Sequence, residues 1–125
     1  PEHRESTVAN VILMLQGHRV EEALPRLAQY VRECPTDREM QHTLIVALGQ
    51  TGRQDQAIEA ARRLVASASG DPQGYVDLGV LLARAGRRDE ARDVFSRGLQ
   101  RCPADPNLRR NLELLGPPSS AAPPR

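Results

Sequence analysis

DPQGYVDLGVLLARAGRRDEARDVFSRGLQRCP, residues 71–103, is the stretch from which the fold can be read. Asp71 is a good N-cap, because its carboxylate can accept from a free N–H of the first turn, and Pro72 suits the first helical position, where a missing N–H costs nothing. Tyr75, Leu78, Leu82 and, one place beyond the row, Ala85 follow at the spacing of one helical face. Gly86 permits the left-handed turn that stops a helix. Arg87 and Arg88 read as turn residues, and Asp89 and Glu90 bring negative charge to the next helix N-terminus. Ala91, Val94, Phe95, Gly98 and Leu99 then carry a second apolar face, which Pro103 ends. The stretch predicts two short amphipathic helices joined by a tight turn.

The same pattern recurs upstream at a fixed offset of 34 residues. Ala23, Ala57 and Ala91 form one series, Asp37, Asp71 and Asp105 a second, and Leu44, Leu78 and Leu112 a third. Gly52 pairs with Gly86, Leu48 with Leu82, and Pro35 returns after two periods as Pro103, with Ser69 between them. The middle unit repeats the helical faces with Leu44, Leu48, Gly52, Ala57, Ala61 and Leu64. In the first unit Ala23, Leu27 and Pro35 fit, while Gly17 stands one place early. The small Ala at 23, 57 and 91 suits a close approach of two helices, with Leu or Phe filling the groove beside it. A single helical hairpin cannot bury its apolar face, whereas stacked hairpins can.

These residues resemble the tetratricopeptide repeat, whose W-x2-L-G-x2-Y…A-x3-F…P pattern is met as Tyr75-x2-Leu78-Gly79-x2-Leu82…Ala91-x3-Phe95…Pro103. The resemblance implies an all-α fold, an α-solenoid of antiparallel helix pairs wound as a superhelix. Its expected organisation is an N-terminal extension at 1–3, a divergent repeat at 4–37, repeats at 38–71 and 72–105, and a capping helix at 106–116. That last helix would be capped by Asp105 and carry Leu108, Leu112 and Leu115 on one face. Residues 117–125, Pro-Pro-Ser-Ser-Ala-Ala-Pro-Pro-Arg, read as a disordered, Pro-rich tail.

Composition removes several function classes. Across 125 residues, 16 acidic side chains nearly balance 17 basic ones, so there is no one-sided field for nucleic acid or anionic lipid. No apolar run is long enough to span a bilayer, so no membrane insertion is expected. All the basic residues are Arg, which deletes the Schiff-base and phosphate-loop chemistries that need Lys. The three histidines, His3, His18 and His42, are not at ligand spacing with Cys, Asp or Glu, and Ser67-Ala-Ser-Gly70 lacks the strand and Lys of a phosphate cradle. Glu21-Glu22 and Asp89-Glu90 fall at helix starts, where the dipole explains them, and no set of nucleophile, base and orienter is found. The chain therefore reads as non-catalytic, without metal or cofactor. Cys34 and Cys102 occupy one repeat position two repeats apart, which argues against a bridge and for reduced thiols packed at buried helix ends in a cytoplasmic setting; no signal peptide is visible. Arg84, Arg87, Arg88 and Arg92 cluster, but Asp89, Glu90 and Asp93 interleave them and no exposed aromatics offer base stacking.

The resemblance implies that partners bind along the first helices of the repeats, which in this family line an inner, concave wall. The corresponding side chains form an apolar stripe of Val8, Ile12, Val46, Val76 and Val80, edged by His42, Gln50, Gln73 and Arg84. Such a stripe suits a peptide or helix with an apolar segment. Family members that hold acidic chaperone tails use a clamp of Lys, Asn and Arg; the matching places here are Val8, Ile12, Thr43, Gln73 and Asp77, so no binding of a Glu-Glu-Val-Asp tail is expected. The expected function is a protein-interaction scaffold or adaptor. An Arg-mediated nucleic-acid binder, a homo-oligomer and an assembly segment of a longer repeat protein stand as alternatives.

Overall fold

The structure, a computed structural model, describes residues 13, 16, 17 and 19–116. The expectations for Val8, Ile12, His3, His18 and the tail at 117–125 lie outside the described residues. From Val20 onward the described residues form six helices in order: α1 Val20–Glu33, α2 Arg38–Gln50, α3 Gln54–Ser67, α4 Pro72–Arg84, α5 Arg88–Arg101 and α6 Pro106–Leu115. No strand occurs among the described residues, and none of their helices is long and apolar enough to cross a membrane. The chain is an all-α helical-repeat solenoid.

The 34-residue period is written into the hydrogen bonds. Asp37, Asp71 and Asp105 cap α2, α4 and α6, accepting from Met40 N at 3.3 Å, Gln73 N at 3.0 Å and Leu108 N at 2.9 Å. The loops before them share a backbone bond, from the Asp37, Asp71 and Asp105 amides to the carbonyls of Cys34, Ala68 and Cys102. Three residues into each of these helices, a side chain donates back to the loop. Gln41 Nε2 reaches the Pro35 carbonyl at 2.6 Å, Tyr75 Oη that of Ser69 at 2.9 Å, and Arg109 Nη2 that of Pro103 at 2.9 Å. The turns α2–α3 and α4–α5 pass through Gly52 and Gly86 at φ of 78° and 81°, a region that disfavours a Cβ.

The described chain divides into two compact units, one ending at Ala60 and one starting at Ala61, so the division falls inside α3. In the first unit the core is built from Ala23, Leu24, Leu27 and Tyr30 of α1, Met40, Leu44, Ile45, Ala47 and Leu48 of α2, and Ala57 and Ile58. Tyr30 Oη donates to Asp37 Oδ2 at 2.7 Å, so one carboxylate both caps α2 and fastens α1. Arg53 forms a two-pronged pair with Glu21, at 2.5 and 3.1 Å. Arg19 and Arg87, at the same repeat place, instead pair with Glu22 and Glu90 one turn on; Arg53 finds Gln56 there and turns elsewhere.

The second unit packs closely at two glycines. A Cβ on Gly79 would overlap the Phe95 ring, and one on Gly98 would stand 2.9 Å from Tyr75 and 3.0 Å from Leu108. Ala91 and Leu108 are fully buried, and α6 packs on both α4 and α5. Arg88 and Arg92 of α5 donate to the carbonyls of Leu115 and Gly116, so two guanidiniums close the C-terminus of α6.

Three details correct the sequence reading, and the half-burial of Leu112 refines it. Ala85 is exposed, because it is the C-cap beyond the last turn of α4. Arg88 is the first residue of α5 and not a turn residue. Leu112 is half-buried, since α6 packs on α4 and α5 and its far side, with Leu114 75% exposed, is open among the described residues. Cys34 and Cys102 are free thiols and half-buried instead of buried; each is a C-cap, and Cys102 Sγ donates to the Gly70 carbonyl at 3.4 Å.

Candidate functional site

In the first unit, His42, Val46 and Gln50 recur every four residues along α2 and so share one face. With Gln16, Thr43 and Ala47 they line an open depression of about 370 Å³. Val46 is 41% exposed, a large apolar side chain standing at the surface. The Thr43 hydroxyl donates back to the Glu39 carbonyl at 2.9 Å. Among the described residues its lining presents amide, hydroxyl, imidazole and apolar surface.

In the second unit, Gln73 and Arg84 are exposed at the two ends of α4, with Val76 and Val80 half-buried between them. Gln73 Nε2 donates to Asp77 Oδ1 at 2.9 Å, and Asp77 is only 9% exposed. Its carboxylate therefore lies under this row and not on it. Val8 and Ile12, the remaining members of the expected stripe, lie outside the described residues.

A larger concavity of about 620 Å³ lies wholly within the second unit, between α3, α4 and α5. Val65, Ala66, Tyr75, Leu78, Leu82 and Val94 give it an apolar floor and walls, and Arg62, Asp89, Glu90, Asp93 and Arg97 form its rim. Sequence reasoning missed this furrow because most of those apolar residues read as core. The available signal was the order of the rim charges along α5, Asp89, Glu90 and Asp93 before Arg97.

The charged side chains are largely committed to one another. Arg87 pairs with Glu90, Arg92 with Asp89 at 3.0 Å, and Arg97 with Asp93 at 3.1 Å. Of the four clustered arginines, Arg87, Arg88 and Arg92 are thus used inside the chain. Hydrogen bonds from Arg53, Arg19 and Arg87 hold the carboxyls of Glu21, Glu22 and Glu90 below the usual range. Burial, then the bond to Asp37, pushes the Tyr30 hydroxyl well above the ordinary phenol. His42 stands in the α2 depression, and no group of three or more His, Cys, Asp or Glu among the described residues is placed to hold a metal.

Solved structures share this fold. MamA of MSR-1 is 21% identical with a TM-score of 0.66, over 84% of this chain and 60% of its own. The type III secretion translocator chaperone SycD of Yersinia enterocolitica is 15% identical with a TM-score of 0.78, over 92% of both chains. YrrB, a TPR protein with an unusual peptide-binding site, is 17% identical with a TM-score of 0.72, over 82% of this chain and 53% of its own. This chain therefore spans about three fifths of MamA, and at these identities the likeness is one of fold. No curated protein matches significantly. The bacterial transcriptional activator domain model matches residues 4–71. The tetratricopeptide repeat model matches residues 42–106, more than half of the chain, over the segment whose caps, turns and loop bonds recur every 34 residues. The chain belongs to the tetratricopeptide repeat family.

Proposed function

We propose that this chain is a non-catalytic protein-interaction module that holds a peptide or helix of a partner protein along the exposed rows of its first helices. The observation that carries the reading is the depression around Val46, where an apolar side chain is left at the surface inside a ring of His42, Gln16 and Gln50. Binding sites commonly combine an apolar floor with a few polar groups that fix direction. Val76 and Val80, between Gln73 and Arg84, offer the same combination on α4, and Val8 and Ile12 are proposed as partner-binding positions of the first repeat. The peptide-binding site of YrrB, on the same fold, supports the reading. The described lining around Val46, amide, imidazole and apolar, suits a neutral, apolar segment and not an acidic chaperone tail.

The test uses a random peptide library panned on the immobilised chain, followed by calorimetry with the selected peptides. The expected result is enrichment of apolar peptides, with at least about tenfold weaker binding to a folded Val46→Asp, Val80→Asp double variant. Unchanged affinity overturns the assignment of these rows. A Glu-Glu-Val-Asp peptide is expected to bind more weakly than about 10 μM, and tighter binding would contradict the proposed chemistry.

The match of residues 4–71 to the bacterial transcriptional activator domain favours a second setting for the same activity, an interaction arm of a transcription regulator. Fusing the chain to a DNA-binding domain in a reporter assay tests it. Activation that the double variant abolishes would favour this setting, and silence would remove it.

A further inference from the structure

We propose that the furrow between α3, α4 and α5 is a self-association surface whose occupant is a second copy of this chain, packed with its α5 antiparallel to the first. Apart from Arg88, which is spent on the Leu115 carbonyl, the exposed charges of α5 run in order, with Asp89, Glu90 and Asp93 in its first half and Arg97 and Arg101 in its second. A two-fold axis beside α5 sets the two copies antiparallel, so the acidic half of each faces the basic half of the other. Asp93 of one copy then lies opposite Arg97 of the other, and this contact occurs twice.

The helix macrodipole also favours acid first and base last, but it acts on every helix. The five matching places on α1 are Glu21, Glu22, Pro25, Gln29 and Glu33, which carry no base. The same places on α3 read Asp55, Gln56, Glu59, Arg63 and Ser67, so the order recurs there, and α5 differs in that its ordered charges, Asp89, Glu90, Asp93 and Arg97, stand on the rim of a furrow. This furrow is apolar-floored and of about 620 Å³, with Val65 half-buried and Ala66 exposed, room for a ridge of side chains from a neighbouring helix. The Asp93–Arg97 bridge, 3.1 Å long, has side chains 58% and 70% exposed. Such a surface pair is weak on its own, so exchanging it for the same pair across an interface costs little.

Sedimentation velocity on the full chain, over a concentration series at low salt, tests the proposal. A reversible monomer–dimer equilibrium is expected. Asp93→Arg and Arg97→Asp should each weaken it at least about tenfold, because the two-fold axis repeats every like-charge contact. The double variant D93R/R97D should regain dimerisation, since exchanging the charges restores opposite pairs within α5 and across the axis. Circular dichroism checks that these surface variants stay folded. A monomer at every concentration up to about 1 mM overturns the proposal. So does a dimer indifferent to the single reversals, or a double variant that does not recover.

Discussion

The two units solve the same packing problem with different materials. In the second, side chains are deleted so that helices close on one another. Gly79 makes room for the Phe95 ring, Gly98 for Tyr75 and Leu108. In the first, α1 presents Tyr30 where α5 presents Gly98, and the phenol is put to use as a donor to Asp37. Arg53 reaches back to Glu21 there, whereas in the second unit Arg88 and Arg92 close the end of α6. One repeat pattern thus accepts either steric closure or polar fastening, provided the small Ala at 23, 57 and 91 remains.

The largest expected effect attacks the steric solution. Gly79→Ile drives a branched side chain into Phe95 and should cost at least about 3 kcal/mol in urea denaturation, enough to unfold the second unit. Phe95→Ala opens a cavity and should cost about 3–5 kcal/mol. The middle repeat carries the reverse assignment, Ile45 and Ala61, both buried. The double variant G79I/F95A imports it and should recover at least about 2 kcal/mol of the summed loss. A strictly additive cycle would break the comparison.

Next comes the closure of α6. Arg92 is 14% exposed on its side chain and bonds both Asp89 and the Gly116 carbonyl. Arg92→Ala should cost about 2 kcal/mol and expose the α6 amides to hydrogen exchange, leaving α1 and α2 unaffected. Equal loss of protection in both units would contradict a local role.

A smaller change moves the first unit toward the second. Pro25 lies inside α1, without a backbone donor, where α3 and α5 carry Glu59 and Asp93. Pro25→Glu restores the missing backbone donor and should stabilise the first unit by about 1–2 kcal/mol in urea melts, the gain being reduced by the extra freedom of the unfolded chain. The smallest expected effect is in alkali. Because the folded state raises the Tyr30 pKa, its contribution is complete below the free phenol's value of about 10 and falls as pH climbs through the higher folded value. Urea midpoints should drop with pH in that range, and Tyr30→Phe should flatten that part of the profile.

Much of this architecture could be read from residue spacing. Asp at 37, 71 and 105, Gly at 52 and 86, and Ala at 23, 57 and 91 each do a job that few other residues do, so their recurrence is visible. Helical periodicity puts His42, Val46 and Gln50 on one face of α2, and it is the family resemblance that offers that face to a partner. The Tyr30–Asp37 bond and the α5 arginines on α6 were not legible, because neither recurs with the period. The furrow escaped because a residue's letter does not tell whether its face is covered.

The donors that tie α2, α4 and α6 to their preceding loops are an amide, a phenol and a guanidinium, from Gln41, Tyr75 and Arg109. An alignment scored by residue identity would record that column as noise. A comparison of bonds would record it as constant, since what is kept is a hydrogen delivered to a carbonyl six residues earlier. Substitutions there should be tolerated by reach and donor capacity, so such a column can drift through unlike letters while the loop geometry stays fixed.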